Sequence, residues 1–195
     1  MKAYYEARAR EYDDWWLGRG LYEQRSRPGW DQARTELEAW IAALPPAHTL
    51  DVACGTGFMT RHLRGAVTGL DQSESMVAVA SEQAPKAEFV VGDALDLPFP
   101  DGAFDRVFTS YFYCHLEEAD RARFVAEARR VARELVVVGT VIGAGEEAER
   151  WEERRLKDGS RWHVYKRVFV PAELADELGG RVLHENAYFV MVAAP

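Results

Sequence analysis

The sequence predicts a single α/β domain: an open, doubly wound, seven-stranded and mostly parallel sheet with an antiparallel last strand, behind a helical N-terminal cap. Three observations predict it. From Thr49 onward, short apolar runs alternate with stretches of helical periodicity, as in successive βαβ units. The first apolar run passes directly into the glycine-containing turn Cys54-Gly55-Thr56-Gly57. Two long runs of alternating polarity close the chain, the pattern of an antiparallel pair at a sheet edge.

Residues 1–47 read as the cap and 48–195 as the sheet core. Within Tyr4–Leu17, the apolar positions Tyr5, Ala9, Tyr12 and Trp16 recur three or four apart and make one helical face. Gly18, Gly20, Pro28 and Gly29 punctuate the chain. A second helix is expected to start at Asp31 as N-cap, turning Leu37, Trp40, Ile41 and Leu44 inward until Pro45-Pro46 stops it. Strands are expected at Thr49–Ala53, Ala66–Leu70, Glu88–Val91, Phe104–Ser110, Leu135–Thr140, Trp162–Val170 and Val182–Val192. Helices are expected between them at Met59–Arg64, Ser73–Gln83, Glu118–Ala132, Glu146–Lys157 and Ala172–Leu178. Pro171 suits the first turn of the last helix, and Gly179-Gly180 ends it.

The bulk properties narrow the function. A chain of 195 residues buries a full core without staples. Its 24 Lys and Arg against 32 Asp and Glu give a net charge of -8, which repels phosphate backbones and argues against a nucleic-acid partner. The first residues are charged throughout, so neither a signal peptide nor a membrane helix is expected. Cys54 and Cys114 lie far apart and lack metal-ligand spacing, which predicts a reduced, cytoplasmic protein without a metal.

The chemistry concentrates at three strand ends. In Leu50-Asp51-Val52-Ala53-Cys54-Gly55-Thr56-Gly57, glycines free the backbone to turn tightly and let a ligand approach closely. The plainer reading is a turn that needs glycine for geometry alone. Asp71 ends the second strand twenty positions after Asp51, where a carboxylate can accept both hydroxyl protons of a ribose. The competing role is an N-cap for the next helix, for which Ser73 is the better candidate. Gly92-Asp93-Ala94 closes the third strand. Asp93 can accept from an adenine amino group and Ala94 can donate its N–H to a ring nitrogen, with Leu95 and Met76 as apolar faces; otherwise Gly-Asp is a surface turn.

These segments together resemble a class I S-adenosylmethionine-dependent methyltransferase of the small, methyltransferase-11-like type, on a Rossmann-like fold. LDVACGTG at 50–57 is similar to that family's first motif, GLDQSESM at 69–76 to its second, and GDALDLPFPDGAFDRVF at 92–108 to its adenine motif and following strand. Tyr12-Asp13 resembles the family's N-terminal Tyr-Asp element, and Ala53 stands where many members carry glycine. The resemblance implies that Asp51, Ala53, Cys54 and the Gly55–Gly57 loop hold the methionine end of the cofactor. It implies that Asp71 binds the ribose, with Gln72 next to it among the cofactor-binding residues, that Asp93 binds the adenine, that Tyr12 closes over the cofactor, and that Ser110 and Tyr111 border the sulfonium.

No P-loop lysine or serine follows the glycines, and Thr60 stands where a dinucleotide fold would place its third glycine. These absences count against an NAD(P)-dependent oxidoreductase, which stays the first alternative because it shares the glycine turn and the ribose acid; a catalytically silent cofactor-binding regulator is the second. On the acceptor side, His115 has the intrinsic pKa to take a proton from a hydroxyl or ammonium, though it could instead cap the next helix or touch the cofactor. Neither Asn-Pro-Pro-Tyr nor a Pro-Cys nucleophile follows the fourth strand, so a small-molecule acceptor is expected, methylated on oxygen or nitrogen. Arg154, Arg155, His163 and Lys166 are candidates to orient an anionic acceptor, with Trp15, Trp16 and Trp151 as walls. The plainer reading of that charge run is a solvated face.

Overall fold

The computed structural model describes residues 1–24 and 26–195. Its main sheet has seven strands: β1 (Thr49–Val52), β2 (Val67–Asp71), β3 (Glu88–Val91), β4 (Phe104–Ser110), β5 (Ala132–Thr140), β8 (Arg181–Glu185) and β9 (Phe189–Ala194). Between β5 and β8 the chain forms β6 (Glu149–Arg155) and β7 (Arg161–Arg167), which pair with each other in a separate antiparallel hairpin. The main-sheet order is β3-β2-β1-β4-β5-β9-β8. The five strands β1 to β5 run parallel, and β9 is antiparallel to both β5 and β8. The expected seven-stranded, mostly parallel sheet is present, and its switch point lies between β1 and β4, where crossovers leave to opposite sides.

The helices are α1 (Lys2–Arg8), α2 (Asp14–Leu17), α3 (Trp30–Ala43), α4 (Glu74–Gln83), α5 (Glu118–Val131) and α6 (Pro171–Leu178). Strand alternation sends neighbouring side chains to two separate cores. Leu135 and Val137 of β5 join Phe124, Ala128, Leu174 and Leu178 on one face. Val136 and Val138 join Leu37, Ile41, Trp30 and Trp16 on the other. Each fully buried aliphatic side chain contributes about 1.5–3 kcal/mol of transfer free energy, so both faces are strongly held.

Several expectations need correction. Glu146–Lys157 is not a helix but contains β6. Its burial alternates residue by residue, with Arg150, Glu152 and Arg154 half-buried and Trp151, Glu153 and Arg155 exposed. A dense mix of Glu and Arg disguises that period of two. Trp162–Val170 supplies β7, which lies outside the main sheet. Val182–Val192 is two strands rather than one, split at Asn186–Tyr188. There Asn186 Oδ1 accepts from the N–H groups of Tyr188 and Phe189 at 3.0 and 2.9 Å, closing the turn. One strand lost and one gained leave the count at seven.

Met59–Arg64 forms only a short 3-10 turn at Thr60–His62, and Tyr4–Leu17 breaks between α1 and α2. The second cap helix starts at Trp30 behind Gly29, whose φ of 78° serves the left-handed N-terminal position, so Asp31 lies in the first turn.

Candidate functional site

A cleft of about 200 Å³ opens beyond the carboxyl ends of β1, β2, β3 and β4. The turn after β1 shapes its floor. Three left-handed residues fall within five positions there: Ala53 at φ 57°, Gly55 at 55° and Gly57 at 75°. A side chain on Gly57 would place Cβ 3.2 Å from Ala80 Cα of α4, so this glycine is required both by its dihedral and by the close approach of the helix. Ala53 adopts the same conformation with a Cβ, at a cost of about 1–2 kcal/mol.

Asp71 ties the turn to the next strand. Its Oδ2 accepts from Gly55 N–H at 3.0 Å and its Oδ1 from Ser73 N–H at 2.9 Å, while Ser73 Oγ caps α4 by accepting from Met76 N–H at 3.1 Å. Each carboxylate oxygen keeps a second lone pair, and the side chain still borders the cleft. Burial raises the Asp71 pKa despite those two donors. Asp51 is fully enclosed and receives the Thr60 hydroxyl at 2.6 Å; burial pushes its pKa up to about 7, and neighbouring Asp71 adds to the rise.

The cap closes one side. Glu6 of α1 accepts from Glu74 and Ser75 N–H at 2.7 and 3.2 Å, so a cap carboxylate occupies the positive N-terminus of α4. Asp13 accepts from Thr56 Oγ1 of the glycine turn and from Gln83 at the end of α4. Asp14 pairs with Lys157 beside the hairpin turn. Tyr12 is thereby held over Gly55, with its ring 3.7 Å from where a Cβ on that glycine would stand.

At the end of β4 the chain turns sharply through Tyr111, whose φ of 62° is uncommon for an aromatic residue. His115 follows in a 3-10 turn. Its Nδ1 lies 2.7 Å from the carbonyl of Tyr165 on β7, and because a carbonyl only accepts, Nδ1 carries the proton and Nε2 is left as an acceptor. Burial first, and then the charges of Lys166, Arg154 and Arg8, pull the His115 pKa down to about 3; the ring is neutral.

Of the residues singled out in the sequence, Tyr12, Ala53, Gly55, Asp71, Gln72, Asp93, Ala94, Leu95, Ser110, Tyr111 and His115 line the cleft. Asp51 and Cys54 do not; they face a small adjoining hollow that also touches Ala53, Ser110 and Tyr12. Gly57 packs under α4 instead. Met76 is wholly buried and lines neither the cleft nor the two adjoining hollows, so it is not the apolar face expected of it. Phe112, in the segment that follows the fourth strand, lines the cleft as well; Tyr5 and Asp120 also line it and were missed. Tyr5 had a signal in its place on the helical face of Tyr12. Asp120 had none, since an acid at a helix start is an ordinary capping feature.

On the acceptor side, Arg154, Lys166 and Trp15 face a second hollow next to the cleft, together with Arg8, which was not foreseen. Arg155 and His163 point outward, Trp16 is buried in the core, and Trp151 is 61% exposed against Tyr165. Among the described residues no helix is long and apolar enough to cross a membrane.

Comparison with known proteins agrees with this geometry. The family described as "Methyltransferase domain" matches residues 50–137. The chain is 36% identical over 109 residues to the demethylmenaquinone methyltransferase of Thermotoga maritima, a match covering 53% of this chain and 45% of that protein. It is 38% identical over 97 residues to the ajmaline N-methyltransferase of Rauvolfia serpentina, covering 45% of this chain and 33% of that one. The chain thus spans less than half the length of these curated relatives. Among solved structures, the DhpI-SAM-HEP complex superposes with a TM-score of 0.77 at 28% identity, covering 99% of this chain and 95% of the other.

Proposed function

We propose that the protein moves a methyl group from S-adenosylmethionine to an oxygen or nitrogen atom of a small-molecule acceptor, a reading supported by the match of residues 50–137 to the methyltransferase-domain model and by the likeness to the DhpI-SAM-HEP complex. The observation that carries this reading is the charge of the cleft. Among the described residues its lining includes Asp71, Asp93 and Asp120 but neither lysine nor arginine. Such a wall suits a cationic nucleoside and disfavours the pyrophosphate of a dinucleotide, for which basic groups or a third glycine would be needed.

S-adenosylmethionine supplies a methyl group on a positively charged sulfonium, ready for in-line displacement. The chain has to hold it, aim the acceptor and exclude water. Asp71, with Gln72 beside it, takes the ribose hydroxyls on its free lone pairs, and Asp93 with Ala94 and Leu95 takes the adenine. Asp51 and the Gly55–Gly57 turn serve the methionine end, Asp51 from one layer behind the wall. Ser110 fits a polar role beside the sulfonium, since its buried Oγ has no partner among the described residues. Tyr12 covers the turn. Nε2 of His115 accepts a hydrogen bond from the acceptor hydroxyl or amine and orients its lone pair on the methyl carbon; with a pKa lowered to about 3, the ring passes the released proton on to water rather than keeping it.

Calorimetry with S-adenosylmethionine, S-adenosylhomocysteine and NAD(P) tests the cofactor. The first two should bind and the dinucleotides should not; the reverse result overturns the reading. For His115, replacement by Ala should slow transfer to a protonated acceptor by about 100-fold or more while cofactor affinity holds. An equal loss in both would reduce His115 to a structural part.

A further inference from the structure

Past His115 the cleft gives way to a smaller hollow of about 30 Å³ between the cap and the β6–β7 hairpin. Tyr5, Tyr12, Tyr111 and His115 line both spaces, so the two are neighbours across one wall. The charge reverses across it. Arg8 of α1, Arg154 of β6 and Lys166 of β7 face the inner hollow, and among the described residues no carboxylate lines it.

These cations are unusually deep. Arg8 is 8% and Lys166 6% exposed. Arg8 donates to the phenol oxygens of Tyr4 at 2.7 Å and Tyr22 at 3.3 Å, and its buried Nε has no acceptor among the described residues. Lys166 Nζ donates to Thr140 Oγ1 at 2.9 Å and lies 5.1 Å from the centre of the Tyr111 ring. Among the described residues, Arg154 is the one of the three in ion-pair contact with a carboxylate, Glu152, and that acid also serves Arg150 and acts on Lys166 from further off. A buried cation without counter-charge is costly, and burial accordingly lowers the Lys166 pKa. An anion from outside would complete the cluster.

We propose that this hollow is an oxyanion subsite, which makes the acceptor a small acid whose carboxylate or phosphate-type group sits among Arg8, Arg154 and Lys166 while its hydroxyl or amine reaches past His115 to the cleft. The inference rests on the methyl-transfer reading above and specifies the acceptor within it. Guanidinium and ammonium groups form charge-assisted hydrogen bonds with oxyanions, and the aromatic wall of Tyr5, Tyr12 and Tyr111 leaves room for a short spacer only.

The test is calorimetry on protein loaded with S-adenosylhomocysteine, using glycolate, inorganic phosphate and neutral glycolamide as probes. At least one anion should bind about tenfold or more tightly than glycolamide. Preference for glycolate identifies a carboxylate acid, and preference for phosphate a tetrahedral one. Lys166→Met and, separately, Arg8→Met should each weaken the preferred anion about tenfold, with S-adenosylhomocysteine affinity as the control for folding. Equal binding of glycolamide and both anions overturns the proposal. So does anion affinity unchanged in both variants, which would mean an adventitious ion only. Loss of S-adenosylhomocysteine binding by the unmutated protein would instead overturn the cofactor reading, and this inference with it.

Discussion

The outer cleft and the inner hollow are built by opposite means. The cleft is made of backbone turns at the ends of parallel strands, and its charged side chains are acids. The hollow is made of long side chains from α1, β6 and β7, segments some 150 positions apart in the sequence, and its charged side chains are bases. The first construction fixes a ligand through a rigid sheet edge. The second lets the acceptor change while the sheet stays the same, because the cap meets the core through side-chain contacts such as Glu6 on α4 and meets the hairpin through Lys157 on Asp14. Fold and acceptor are therefore separately adjustable.

The contrast can be broken from the cleft side first. Gly57→Val should cost about 3 kcal/mol of stability or more, since it combines a left-handed dihedral with a Cβ pressed on Ala80; a denaturant midpoint reads it. Asp71→Ala should weaken S-adenosylhomocysteine at least about tenfold, roughly 1.4 kcal/mol, because the ribose contact and the anchor of Gly55 are lost together. Unchanged affinity by calorimetry would remove the ribose assignment.

A subtler probe of the same region is pH. The native pKa of Asp51 is raised above its unfolded value, so the folded state holds a proton that the unfolded chain has released between pH 3.8 and about 7. Stability of the ligand-free protein should fall as pH rises through that window and level off above it. Asp51→Asn should flatten this slope in denaturation series run at pH 5, 6, 7 and 8.

Glu6→Ala sharpens the comparison from the cap side. It removes a helix cap without touching the sheet, so cofactor affinity should drop only about threefold, with a slightly lower melting temperature. The smallest effect is expected for Ala53→Gly, a stabilisation of about 1 kcal/mol or less as the left-handed strain is relieved. A destabilised Ala53→Gly protein would show that the methyl group of Ala53 packs usefully.

What could be read in the sequence follows the same division. The glycine turn, Asp71 and Asp93 were legible because each sits at a fixed place relative to its own strand, and local spacing is what a sequence displays. Met76 failed because the second strand and α4 turn that side chain into the core rather than the cleft. The hairpin was misread since Glu and Arg, good helix formers, fill β6, although Asp158-Gly159 at its turn is a hairpin signal that was available. Arg8 could not be found at all. Its place depends on α1 folding back against a strand 150 residues away, and nothing in its neighbours announces that contact.

Four side chains face both spaces, and thermodynamics attaches a condition to that shared partition. Whatever shift of Tyr12, Tyr111 or His115 one occupant induces must alter the free energy of the other by the same amount, whichever arrives first. Donor and acceptor affinities are thus bound into a single cycle, and measuring either one with and without the opposite partner fixes the factor by which each changes the other.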